Sequence, residues 1–234
     1  MKKISLVLIL VFIMILAFAM TVWAEGAVNT KIYFDTWLGA NTKLENVCDL
    51  SKYSSTYDED TQSSFLGVDL TVKRFRFTGE MNFGGNIELS NGTKESLEIS
   101  NYKFGVRVIN AEKIKWDLNS GLLMVGGEYY GNENYVGLMM GTDLFWSPSN
   151  KVFFQCSYQV SAAASFSDTD YAEMSAFNLK AGFLVTDNFA LTAGYRLYTT
   201  KYTNYDVYYS NYQYYDFGKT ATLSGFTLGI MYKF

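Results

Sequence analysis

Beyond residue 24 the sequence repeats one pattern: large apolar residues alternate with small or polar ones, stretch after stretch. A period of two is strand periodicity, and no stretch there sustains apolar spacing at i, i+3, i+4 and i+7. In the last stretch Phe226, Leu228, Ile230, Tyr232 and Phe234 share one face, and Thr227, Gly229, Met231 and Lys233 the other. Leu191, Ala193, Tyr195 and Leu197 stand opposite Thr192, Gly194 and Arg196 in the same way. So do Leu66, Val68, Leu70 and Val72 against Gly67, Asp69, Thr71 and Lys73. A longer run sets Val152, Phe154, Cys156, Tyr158, Val160, Ala162 and Ala164 against Phe153, Gln155, Ser157, Gln159, Ser161 and Ala163. The sense of the alternation matters more than its period. A barrel in water packs its bulky side chains inside, whereas a barrel in lipid turns them outward and keeps polar groups within. Such a sheet must also close, because hydrocarbon satisfies no bare strand edge. The pattern therefore predicts an all-β, up-and-down, antiparallel transmembrane β-barrel.

About ten strands are expected, at 29–40, 64–74, 76–89, 97–109, 114–128, 134–146, 151–166, 171–185, 189–200 and 218–234, with eight or twelve as alternatives. Each is long enough for the ~9–11 residues of a tilted membrane strand. In the fourth, Leu97 and Ile99 are out of phase with Tyr102, Phe104, Val106 and Val108, which predicts a bulge near Asn101. Connections alternate in length. They are short near 74–75, 110–113, 147–150 and 186–188, and longer near 41–63, 90–96, 129–133, 167–170 and 201–217. Trp116, Trp146, Phe189 and Phe234 fall beside the short turns, and Tyr129, Tyr130, Tyr135, Phe166 and Tyr171 near the opposite rim. Those are the two levels where membrane aromatics gather.

Composition narrows the function. The chain is 49% hydrophobic and 18% aromatic, with a single proline, Pro148. A net charge of -4 with no basic run after the N-terminus argues against nucleic acid as a partner. There is no histidine, which removes the usual general base and the commonest metal ligand. Neither a catalytic residue nor a cofactor or metal site is expected. The two cysteines, Cys48 in a surface loop and Cys156 on the lipid face, are read as unpaired thiols.

Lys2 and Lys3 precede an apolar run from Ile4 to about Trp23, and Val22-Trp23-Ala24 offers small residues for cleavage. Residues 1–24 read as a secretory signal and 25–234 as the exported barrel domain. The run is long enough to be an uncleaved membrane helix as well.

The inward face is expected to carry Lys31, Asp35, Asp69, Lys73, Arg76, Glu80, Lys103, Arg107, Lys115, Asp117, Asp143, Lys180, Arg196 and Lys233. Asp69 with Lys73, and Asp117 with Lys115, are natural pairs along one strand face. Buried charges must be paired or wet. Two readings therefore stay open: charges that pair and plug the lumen, or a narrow, weakly anion-preferring pore widened by inward glycines such as Gly67, Gly137, Gly182 and Gly229. Between Tyr198 and Tyr215 the chain is rich in tyrosine, including Tyr202, Tyr205, Tyr208, Tyr209, Tyr212, Tyr214 and Tyr215. These form either an exposed recognition surface for a host molecule or carbohydrate, or the packed tip of a hairpin. The acidic run Tyr57-Asp58-Glu59-Asp60 reads as a solvated loop tip.

The aromatic terminal residue Phe234, with Tyr232, Ile230, Leu228 and Phe226 on its face, resembles the C-terminal assembly signal of bacterial outer-membrane β-barrel proteins. The resemblance implies an outer-membrane location with short periplasmic turns and longer outer loops. It implies the export and barrel-assembly machinery and outer-membrane lipid as partners, with small solutes or a host surface ligand beyond them. Small outer-membrane enzymes of this kind, surface proteases and lipid-modifying acyl hydrolases or transferases, characteristically use a histidine base, which this chain lacks. The expectation is a non-enzymatic structural or surface protein, or a narrow porin-like channel, with an adhesin acting through its outer loops as the alternative.

Overall fold

In the computed structural model, residues 28–48, 53–130, 133–166, 171–204 and 217–234 are described. The expected signal at 1–24 lies outside them, as do Tyr205, Tyr208, Tyr209, Tyr212, Tyr214 and Tyr215. The strands are β1 (Val28–Cys48), β2 (Tyr53–Val72), β3 (Phe75–Glu88), β4 (Lys94–Ser96), β5 (Glu98–Asn110), β6 (Ile114–Gly127), β7 (Glu133–Trp146), β8 (Val152–Phe166), β9 (Tyr171–Leu184), β10 (Phe189–Asn204) and β11 (Phe217–Lys233). Neighbours pair antiparallel in chain order, and β11 returns to β1 to close the barrel. β4 and β5 are one stave split at Leu97, so the barrel has ten staves.

The split has a local cause. Leu97 and Ile99 are indeed on the face opposite Tyr102 and Phe104, but with no break in the alternation. They point into the barrel in line with Asn101 and Lys103, and are buried there. No bulge is needed near Asn101, which pairs normally with Glu80 and Leu123. The register instead slips at Val108, beside the turn, where Val108 and Ile109 are both exposed. At Leu97 the ladder is stitched by Asn82, whose amide donates to the Leu97 carbonyl at 2.9 Å while its carbonyl accepts from the Ile99 amide at 2.6 Å.

One end of the barrel carries tight turns. The first is Lys73-Arg74, where Lys73 adopts φ 55° and is exposed. Lys73 therefore lies outside the lumen: the alternation carries it inward on paper, but the turn starts one residue before it. Backbone bonds bind this end together, from Arg107 to Arg74 at 2.6 Å and from Phe234 to Thr30 at 2.9 Å. At the other end, β1 and β2 run on as a ladder to Cys48 opposite Tyr53, so 41–48 and 53–63, expected as loop, are strand. Cys48 ends β1 and Asp58, Glu59 and Asp60 belong to β2. β10 and β11 continue likewise from Tyr202 opposite Lys219 to Asn204 opposite Phe217. The staves of the two hairpins are thus longer than a membrane crossing requires.

The exterior is apolar. Phe226, Leu228, Ile230, Tyr232 and Phe234 all face out, with Phe226 67% exposed. Phe34, Phe77, Phe104, Leu138 and Leu191 are exposed around the wall. Trp146 and Phe234 lie exposed beside the turns, and Trp116 donates its indole N–H to the Thr142 hydroxyl on the same outer face. Two aromatics assigned to the opposite rim turn inward instead. Tyr129 and Tyr135 are buried inside the barrel. A bulge at Ala162 flips the phase of β8, so Ala163 faces out and Ala164 packs toward the interior.

Candidate functional site

The interior is filled, in two layers. Nearer the turns lies a charged layer built from alternate residues of nearly every stave. Arg76 on β3 grips Asp69 on β2 with Nε at 3.0 Å and Nη2 at 2.6 Å, the bidentate geometry that a planar guanidinium favours. Its other nitrogen reaches across to Asp117 at 3.4 Å and Asp143 at 3.3 Å. Arg107 holds Asp117 at 2.8 Å, and Lys103 holds Asp143 at 3.0 Å and Ser157 at 3.0 Å. A second knot centres on Arg196, which is 0% exposed. It binds Asp35 and, at 2.6 Å, Glu80, and its guanidinium lies 4.3 Å from the Phe65 ring centre. Lys180 adds a 2.6 Å bond to Asp35, and the Tyr198 hydroxyl donates to Glu80 at 3.1 Å. The sequence pairs do not form. Asp69 is held by Arg76 and Asp117 by Arg107 and Arg76, not by Lys73 and Lys115.

Five carboxylates thus face five cations, and each is held by at least one opposite charge. That balance is what a buried polar layer requires, because an unpaired ion there costs several kcal/mol. Above it, Asn101, Gln159 and Asn119 form a hydrogen-bonded chain at 3.0 and 3.2 Å. Beside the chain lies a cavity of about 40 Å³, lined by Arg76, Glu80, Asn101, Lys103, Lys180 and Tyr198. It has room for a few waters.

The outer half of the lumen is apolar, which the inside-polar expectation missed. Trp37, Phe65, Ile87, Leu97, Ile99, Leu123, Val125, Met139, Met174 and Leu223 are among seventeen buried residues that form one cluster across the barrel. Phe65, Leu123 and Met139 are 0% exposed. Trp37 meets Phe65 edge-on at 5.1 Å. A signal was present in the sequence: Trp37 is in phase with Asp35, Phe65 with Asp69, and Tyr198 with Arg196. Nor do the inward glycines leave open space. The Tyr33 ring lies over Gly67, the Phe153 ring over Gly182, the Met174 sulfur over Gly137, and the Asp35 carboxylate against Gly229. Glycine serves here to admit a neighbour's side chain.

At the turn end, Phe145 and Phe153 stack at 5.6 Å on the adjacent staves β7 and β8. Lys31 and Lys115, both half-buried, place their ammonium groups 5.0 and 5.7 Å from the Phe145 ring centre. Lys233 is half-buried at the same end. Among the described residues no group of His, Cys, Asp and Glu is arranged to hold a metal ion. Cys156 is a free, half-buried thiol. Of the tyrosine-rich segment, the backbone of Tyr202 is placed in β10 and the other candidates lie outside the described residues.

No family model matches the chain, and no curated protein sequence matches it. Solved structures do resemble it. The outer membrane protease OmpT from Escherichia coli aligns with a TM-score of 0.56 at 11% identity, over 88% of this chain and 96% of that one. Neisserial surface protein A aligns at 0.35 with 13% identity, over 88% and 97%. The NanC porin aligns at 0.36 with 11% identity, over 83% and 100%. The likeness to OmpT is one of fold: a closed antiparallel barrel shared by a bacterial outer-membrane protein.

Proposed function

We propose that this chain is an integral outer-membrane barrel, closed to solutes, with a structural or surface role carried by its outer end. The observation that carries this reading is the apolar layer, in which buried side chains from nine of the ten staves form one cluster and half-buried Ala164 of β8 packs against it. Water and ions cross a polar lumen but not a dry apolar constriction. The apolar outer wall supports insertion in lipid, and closure of the sheet gives each stave a hydrogen-bonded neighbour on both sides. The turns then face the periplasm, and the long β1–β2 and β10–β11 hairpins project outward, where a surface role is exercised. Export by an N-terminal signal, insertion by the assembly machinery through the Phe226–Phe234 face, and outer-membrane lipid as the surrounding partner belong to the same reading. So does a non-enzymatic role, supported by the absence of histidine and by lumen carboxylates already bound to cations.

The test is planar-bilayer recording on protein purified from the outer membrane and shown to be folded by heat-modifiable migration. A silent bilayer is expected. Stable ohmic steps would overturn closure and restore the narrow porin-like channel.

A further inference from the structure

We propose that Lys31, Lys115 and Lys233 form a binding site for a phosphate group at the turn end of the barrel. The five carboxylates and five cations of the charged layer satisfy one another, and these three lysines are left over. None of the three has a carboxylate within ion-pair distance among the described residues. Asp69 attracts Lys31, and Asp117 attracts Lys115, but Asp69 is committed to Arg76 and Asp117 to Arg107.

Lys31 on β1 and Lys233 on β11 are direct cross-strand partners, and Lys115 reaches toward them from β6 on the other side of the barrel. Lys31 and Lys115 sit against the same Phe145 ring, and the charges of all three are near enough to repel one another. Repulsion of this kind is unfavourable for the empty barrel, and an aromatic face offsets only part of it. An anion in their midst removes it. Each lysine is half-buried, so its charge is poorly screened and still reachable from outside. Three neighbouring point-charge donors suit a group with several oxygens and one to two negative charges, which is a phosphate. The exposed turn residues Lys73, Arg74, Lys113 and Lys151, against Glu112 and Asp187, surround the mouth with a cationic rim that draws anions toward it. Phe145 and Phe153, stacked on the adjacent staves β7 and β8, line this end of the lumen beside the lysines.

The site depends on the barrel fold alone. That it opens to the periplasm rests on the orientation given above. A phosphate there has two sources, a soluble phosphate and the headgroup of an inner-leaflet phospholipid. The test uses the full chain folded in maltoside micelles, which contain no phosphate. Calorimetric titrations are run with inorganic phosphate and, separately, with short-chain phosphatidylglycerol, at constant ionic strength in chloride. Saturable binding of at least one is expected. Each of Lys31→Gln, Lys115→Gln and Lys233→Gln should weaken it about tenfold, the scale of one charge-assisted contact. Replacing the rim residues Lys73 and Arg74 with Gln should change it by less than about twofold, because screened surface charges contribute little. Preference for inorganic phosphate marks a soluble ligand, and preference for phosphatidylglycerol marks the lipid; either supports the site. No saturable binding of either, or equal binding by the folded triple variant, overturns it. Heat-modifiable migration of each variant separates loss of the site from loss of the fold, which does not depend on the closure test.

Discussion

Arg196 has no solvent exposure, yet it carries a full charge and holds two carboxylates, Asp35 and Glu80. Asp35 keeps Lys180 if the arginine is lost, but Glu80 keeps only the Tyr198 hydroxyl. Arg196→Met should therefore destabilise the barrel by about 3–5 kcal/mol, the cost of stranding a buried charge. Adding Glu80→Gln should recover part of that loss, since the stranded ion is then gone. Urea unfolding in micelles, followed by tryptophan fluorescence, checks both. Equal destabilisation by the single and double variants would mean that Glu80 carries no stranded-charge cost once Arg196 is gone. The sequence made Arg196 legible as an inward charge because it alternates with Tyr195 and Leu197. It could not show which carboxylate Arg196 meets, because Asp35 lies 161 positions away along the chain. The same holds for Asp69 and Arg76. Along the strand Asp69 reads toward Lys73, but the turn at Lys73-Arg74 folds Arg76 back beside it.

Elements are where period-two alternation reads best, and where it fails it does so for a physical reason. Alternation locates a strand without saying which face is inside when both faces are apolar. Leu97 and Ile99 looked misplaced because the interior was taken to be polar along its whole height. The outer ends of β8 and β9 show a second blind spot. Their mutual ladder stops at Val160 opposite Ser175, although β8 stays on β7 up to Phe166 and β9 stays on β10 up to Tyr171. Nothing in the alternation of either strand marks where pairing ceases. Just above that point the Ser161 hydroxyl links them by accepting the Met174 amide N–H at 2.9 Å. Ser161→Ala should speed hydrogen exchange of the Met174 amide by about five- to tenfold, the value of one modest hydrogen bond. Amides of β9 that bond to β10 should keep their protection. An unchanged Met174 rate would show that this stitch adds nothing to the wall.

For the whole molecule the question is what closes it. Ten staves enclose more space than the eight whose side chains just fill a barrel. This chain fills the excess with two materials. The charged layer is wettable, and beside it sits a cavity for a few waters. The apolar layer is dry, with Phe65, Leu123 and Leu223 fully buried. A dry constriction is the stronger barrier to ions, because an ion must shed its hydration to cross it while a charged layer offers partial replacement. The seal should therefore depend on the apolar layer. Replacing Phe65 and Leu123 with serine, with Phe153→Ala to clear the mouth, should convert a silent barrel into one with flickering conductance. Each large-to-small change costs about 2–5 kcal/mol of packing, so only the heat-modifiable, folded fraction is recorded. The current should favour anions, since the charged layer is neutral overall and Lys31, Lys115 and Lys233 add positive charge at the mouth. Adding Lys31→Glu and Lys115→Glu should shift the reversal potential toward cations. A folded triple variant that stays silent would place the seal in the charged layer instead, with Arg76 and its three aspartates as the plug.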